Sequence, residues 1–199
     1  MGFSTILDIL GSIAIGGILL IILWRLDDAA TQNVINNGQE VVLQQNITTV
    51  AIILEHDFRK IGYCANWNKI PDPSKSIVQA DSNSIKFLTD DDDDGNIDTL
   101  QYILGPTSEL AATPNPRDRY LYRILNGVKP QEANLGVTQF KLIYYDAFGN
   151  LLNPPVTNPG TIVTIEISLS VEDSYAYNQK YSQAFWRQIK LAAKNLQNR

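Results

Sequence analysis

The chain has 199 residues, 44% of them apolar and 19% charged, which suits one globular domain of ordinary size plus an appendage. A net charge of −5 with no dense Lys/Arg cluster gives no general attraction for nucleic acid or anionic lipid. One cysteine, Cys64, excludes an intramolecular disulfide and a cysteine-only metal site, and one histidine, His56, excludes any mechanism that needs two.

From Ser4 to Trp24 the sequence reads STILDILGSIAIGGILLIILW, with one charged residue. A helix of about 20 residues, rising about 1.5 Å per residue, crosses a hydrocarbon core about 30 Å thick. The stretch is too apolar all round to be one face of a soluble helix. A cleaved signal peptide is the competing reading. Against it, no Lys or Arg precedes the run, the run exceeds a usual h-region, and only Ala29-Ala30 offers a weak cleavage site after it. Residues 1–25 are therefore expected to be an uncleaved transmembrane anchor. Its orientation is not written in the charges, because Arg25 is followed at once by Asp27 and Asp28.

Asp8 is the informative residue of the anchor. A carboxylate costs about 2.5–3.5 kcal/mol at the bilayer centre and less towards the edge. One turn into the helix it is expected at the wet headgroup interface. The competing role is to neutralise a neighbour's N-terminal amine in a helical assembly. Gly11, Gly16 and Gly17 thin the same segment, although no strict G-x-x-x-G is present.

Past Arg25 the composition turns polar, yet no proline occurs before Pro71. Leu43, Ile47, Val50, Leu54, Phe58 and Ile61 recur at gaps of three and four, the stripe of an amphipathic helix. Residues 26–63 are thus read as a continuation of the helix, stopped by Gly62 with Arg59 and Lys60 in its last turn. Asn33, Asn36, Asn37 and Gly38 are poor helix formers, and the segment Thr31 to Gln39 is expected to kink or melt. His56, between Glu55 and Asp57, is placed on the polar side as a solvated residue. Cys64, near Tyr63 and Trp67, is placed as a small buried hydrophobe.

Residues 64–199 read as a β-rich domain. Short alternating runs occur at Ile85–Leu88, Leu100–Leu104, Arg119–Leu125, Val137–Tyr145, Thr161–Val171 and Phe185–Leu191, with a short helix as the alternative for the last. In the fifth, Val163, Ile165, Ile167, Leu169 and Val171 share one side, and Thr164, Glu166, Ser168 and Ser170 the other. The Pro/Asn-rich stretches Pro71–Pro73, Pro106–Pro116 and Leu152–Pro159 are read as loops. An antiparallel sheet with one covered face needs a cover, and the Leu43–Ile61 stripe supplies one. The fold class is α+β, a long N-terminal helix packed on an antiparallel sheet domain.

Between the first two strands lies DDDDDGNID, Asp90 to Asp98. Set against an EF-hand loop, Asp90, Asp92 and Asp94 take positions 1, 3 and 5. Gly95 takes the sharp turn, Asn96 the backbone-carbonyl position and Asp98 position 9. The expected ligand is Ca²⁺ in a structural role, held by Asp90, Asp92, Asp94, Asn96 and Asp98. The match departs at position 12, which is Gln101, and in its flanks, which are strands. The plainer reading is a hairpin tip whose Asp-Gly supplies a tight turn and whose charges keep the sheet edge soluble.

Several of these segments together resemble the type IV pilin and pseudopilin family, closest to PilW-type minor pilins. Gly2-Phe3 before a long apolar helix is similar to a class III prepilin signal. LEHDFRKIGY, from Leu54 to Tyr63, resembles the helix end of those pilins, and KFLTDDDDDGNIDTLQYIL their acidic hairpin. LYRIL followed by GVTQFKLIYYDAFGN keeps the same order of elements. The resemblance implies an inner-membrane protein with a cytoplasmic N-terminus and its C-terminal domain periplasmic or extracellular. It implies trimming by prepilin peptidase and packing through the N-terminal helix with other pilin or pseudopilin subunits, in contact with inner-membrane assembly components and lipid. Gly2, Phe3 and Asp8 would be the processing and assembly residues. Counted from Phe3, Asp8 is sixth, where the family's acidic residue is fifth. The alternative is a membrane-tethered, calcium-binding adhesion or interaction module that does not polymerise, with Tyr120, Tyr122, Tyr144 and Tyr145 as a face. No nucleophile–His–acid set, phosphate loop or paired metal ligands is legible, so no enzyme is expected.

Overall fold

The structure is a computed structural model that describes residues 2–129, 135–173 and 181–191. Helix α1 runs from Phe3 to Arg59. Eight strands follow: β1 (Ile77–Ala80), β2 (Ser84–Thr89), β3 (Asp98–Leu104), β4 (Leu121–Leu125), β5 (Val137–Tyr145), β6 (Leu151–Leu152), β7 (Thr164–Glu172) and β8 (Gln183–Leu191). Short 3-10 turns lie at Trp67–Lys69, Pro73–Lys75, Thr107–Leu110 and Pro159–Thr161. The class is α+β. The chain divides into two compact units, Met1–Val41 and Val42–Arg199.

The first unit is the N-terminal part of α1. Its large apolar side chains from Phe3 to Leu26 are 48–78% exposed within the chain. This is a helix long and apolar enough to cross a membrane. The expected melted turn at Thr31–Gln39 is not found, because that stretch is helical throughout. Asn and Gly cost only about 0.5–1 kcal/mol each in a helix. Breaking the helix and nucleating it again costs more, so a strong helix on both sides carries the weak stretch.

The second unit is built on the stripe. Leu43, Ile47, Val50, Leu54, Phe58 and Ile61 are all buried. They join one core with Ile77, Ile85, Phe87, Leu100 and Tyr102 of β1–β3 and Phe140, Leu142, Tyr144, Ile165, Ile167 and Leu169 of β5 and β7. Phe58 lies 5.7 Å from the rings of both Phe87 and Tyr102, and Tyr102 lies 6.4 Å from Phe140. Burying each such side chain contributes about 1.5–3 kcal/mol, which holds this half of α1 in the domain.

Two four-stranded antiparallel sheets are present where the pattern predicted one, ordered β1-β2-β3-β4 and β6-β5-β7-β8. The reason lies in the pairing of β5. Phe140 faces Leu169 and Leu142 faces Ile167 on β7, whereas among the described residues the β4 side offers only the bridge from Arg119 to Val137. The polar side of β7 is also covered, contrary to the alternation. Glu166 is buried against Arg187 (2.5 Å) and the Tyr145 hydroxyl (3.0 Å), and Glu172 against Arg117 (2.8 Å) and Asn115 (3.0 Å). Charge pairing with neighbouring strands and one loop lets a polar face be buried. Ile77–Ala80 and Leu151–Leu152, not among the expected strands, are short edge strands, the second starting just before the stretch read as a loop from Leu152.

Candidate functional site

Polar and charged groups are closely joined where α1 ends against the loop between β2 and β3. The helix stops at Arg59, and Gly62 follows at φ +72°. A Cβ at that position would stand 2.9 Å from Ser76 Oγ, in a backbone region that favours glycine. The Gly62 N–H donates to Leu88 O (2.9 Å), and Asp90 N–H donates back to Tyr63 O (2.9 Å). The chain leaving the helix is thereby laced to the end of β2.

Asp90 to Ile97 form an eight-residue loop rather than the predicted tight turn, with positive φ at Asp93 and Gly95. Asp90, expected on an exposed tip, has no solvent exposure. Its Oδ2 accepts the N–H groups of Ala65 (3.0 Å) and Gly95 (2.9 Å) and the Cys64 thiol (3.7 Å), while Oδ1 accepts Asp94 N–H (3.1 Å). Burial alone would raise its pKa. The N–H groups of Ala65 and Gly95 and the Cys64 thiol outweigh that and hold it below the ordinary carboxylate value. Asp90 therefore ties the helix-exit segment to the acidic loop.

The neighbouring carboxylates are divided among partners. Arg123 of β4 reaches Asp57 of α1 through Nε (2.6 Å) and Asp91 through Nη2 (2.6 Å). Lys60 donates to Asp91 O (2.9 Å) and pairs with Asp93 (3.3 Å). Asp98 accepts Asp91 N–H (2.9 Å) and the Asn126 amide (2.7 Å). Lys69 donates to Asn96 Oδ1 (2.5 Å), while the Asp94 carboxylate takes the backbone and amide N–H groups of Asn96 (both 2.6 Å). Of the four expected carboxylate ligands, Asp90, Asp92 and Asp98 bring an oxygen each within 4.8 Å of one another and Asp94 does not join them. Asp94 and Asn96 are turned towards each other instead.

Asp57 overturns its placement on the polar side of the helix, because only 2% of it is exposed. Besides Arg123 it holds the Tyr102 hydroxyl (2.5 Å) and His56 Nδ1 (3.1 Å). Desolvation pushes its pKa up, but hydrogen bonds from Arg123, Tyr102 and His56 prevail and the net shift is downward. Burial and the Asp57 carboxylate push the Tyr102 phenol well above its ordinary value, so it stays protonated as a donor. The signal was present in the spacing: Asp57 stands three residues after Leu54 and four before Ile61, on the buried stripe itself.

The remaining predicted residues fall as follows. His56 has a side chain 64% exposed, and Cys64 is buried, as expected of each. Gly2 precedes α1, Phe3 opens it with 78% exposure, and Asp8 is exposed one turn further on. Of the four tyrosines, Tyr122 and Tyr144 are buried, and Tyr120 and Tyr145 half-buried. They pack on the sheets rather than presenting a face. No family model matches the chain, and no curated protein or solved structure is significantly similar to it.

Proposed function

We propose that the chain is a structural minor pilin or pseudopilin subunit. The first half of α1 anchors it in the inner membrane with the β domain outside the cytoplasm, and the same helix packs into a type IV pilus or a type II secretion pseudopilus. The observation that carries this reading is the division of α1. Its apolar residues up to Leu26 are exposed, while the stripe from Leu43 is core. An exposed apolar surface of that length is stable only in lipid or against other helices. Gly11, Gly16 and Gly17 have nothing within 4 Å of a Cβ position, which leaves room for close helix approach. The chemistry of the reading is packing, with no reaction assigned to any residue.

A photo-crosslinker at Ile15 in the full-length chain, in its own membrane, tests the proposal. Crosslinks to other pilin-like subunits are expected, and crosslinks to lipid alone would leave the solitary tethered module. Intact-mass measurement of the extracted protein reports separately on trimming after Gly2.

The convergence of Asp90, Asp92 and Asp98 favours a second reading, a structural Ca²⁺ that stiffens the loop of a tethered module. Asp90 Oδ2 is already filled by three donors, so the cation would rest on Asp90 Oδ1, Asp92, Asp98 and water. Calorimetric titration to millimolar Ca²⁺ should give saturable heat that Asp92→Asn abolishes. A flat titration would leave the loop held by its hydrogen bonds alone.

A further inference from the structure

The segment that leaves α1 folds around a cleft of about 500 Å³, lined among others by Trp67, Asn68, Ile70, Pro71, Asp72 and Pro73. That volume lies within the range of small-molecule sites, about 300–1,000 Å³. We propose that this cleft binds a neutral saccharide, a hexose whose flat C–H face stacks on the Trp67 indole. The assignment stands apart from the pilin reading, and the acidic-loop oxygens brace the Trp67 turn without touching the ligand.

Trp67 is 65% exposed and stands on a 3-10 turn. An indole contributes most when its large face is covered, so a tryptophan held out at a cleft wall is a surface waiting for a flat partner. The turn is fixed from behind. Asp90 accepts Ala65 N–H, Lys69 N–H donates to Asn66 O (3.0 Å), and the Lys69 ammonium is held by Asn96. The acidic loop thus acts as the buttress of the Trp67 turn, and the cleft is preformed rather than assembled on binding.

The lining selects the ligand class. Asn68 is exposed beside the indole and offers both an amide donor and an acceptor. Asp72 Oδ1 is occupied by Ser74 N–H (3.2 Å) and Ser74 Oγ (2.6 Å), while Oδ2 faces Lys75 (3.2 Å) on the exposed side and keeps acceptor capacity for hydroxyls. Among the described residues no cation lines the cleft, and Lys69 and Lys75 are each engaged by an amide or acidic partner, so a phosphate or carboxylate ligand meets no counter-charge there. Ile70, Pro71 and Pro73 supply too little apolar wall for a lipid. An aromatic face flanked by an amide and a carboxylate, without a cation, matches a ring with one apolar face and a rim of hydroxyls.

The test uses the full-length chain in a micelle of a detergent that carries no sugar headgroup, because glycosidic detergents would compete. Saturation-transfer NMR with cellotriose and with N,N′,N″-triacetylchitotriose should show transfer to the ring C–H protons of at least one. Trp67→Ala should weaken that binding at least tenfold and Asn68→Ala severalfold, with unchanged circular dichroism. Both side chains are exposed, so Asn68→Ala serves if Trp67→Ala fails to fold. No transfer to either sugar overturns the proposal. So does transfer in both variants equal to that in the parent chain, or binding of a proline decamer in place of the sugars.

Discussion

At the residue scale, Asp57 and Arg123 form the contact whose loss should be felt most. Asp57 is nearly inaccessible, and Arg123 keeps 32% side-chain exposure while bridging to Asp91. Removing one partner of a buried pair leaves the other charged and unpaired, at a cost of about 3–5 kcal/mol. Because Arg123 still touches water, Arg123→Met should fall at the low end, about 3 kcal/mol by urea unfolding. Replacing both by leucine should recover part of that loss. The pH dependence follows from the lowered pKa of Asp57. Its stabilisation is fully present above the unfolded-state value of 3.8 and is lost as pH falls through the lower folded value. Acid titration of the Asp57→Asn variant should therefore show a shallower stability loss below pH 3.8 than the parent chain. Asp90 has the same sign for a different cause, backbone N–H groups rather than a cation. Asp90→Ala removes the oxygen that accepts the Ala65 and Gly95 N–H groups. Hydrogen exchange at those two amides should accelerate while the β5–β7 ladder keeps its protection.

At the element scale, α1 makes the sharpest contrast. Phe58 and Leu54 have no exposure, whereas Ile52, on the same helix, is 63% exposed. Phe58→Ala should cost about 3–5 kcal/mol through lost contacts with Phe87 and Tyr102 and the cavity left behind. Ile52→Ala should stay within about 0.5 kcal/mol. Urea unfolding followed through Trp186, which packs on the core, reads both. This stripe was legible because a helix writes its buried face at gaps of three and four. The long strands were legible by alternation, β5 to the residue at both ends. Sheet partnership was not, since nothing in Val137–Tyr145 says that it will pair with Thr164–Glu172 rather than Leu121–Leu125. The acidic loop shows the same limit. Spacing identified its carboxylates, but not that Asp90 would turn inward to the helix exit, because its partners are backbone N–H groups 25 residues away or within the loop. Periodicity reports burial along one element and is blind to which distant backbone group completes a hydrogen bond.

At the scale of the whole molecule, one helix carries two incompatible surfaces in sequence. From Leu43 onwards it is ordinary core. Before Leu26 it exposes apolar side chains on every side, with the single carboxylate of Asp8 among them. Two roles for Asp8 make opposite demands. As a solvated residue at the membrane edge it can be replaced without consequence, apart from a small gain in apolarity. As the partner of a neighbouring subunit's positive group it is needed only once subunits meet in the membrane, where an unpaired charge is costly. Asp8→Ala should then leave the membrane-extracted amount and the unfolding of the β domain unchanged. In the same cells, crosslinking from Ile15 to other pilin-like subunits should fall at least tenfold, and Asp8→Glu should restore much of it. Unaltered crosslinking in Asp8→Ala would remove the carboxylate from assembly and leave packing around Gly11, Gly16 and Gly17 as the basis of association. Loss of membrane-extracted protein would instead mean that Asp8 acts in insertion, before any partner is met.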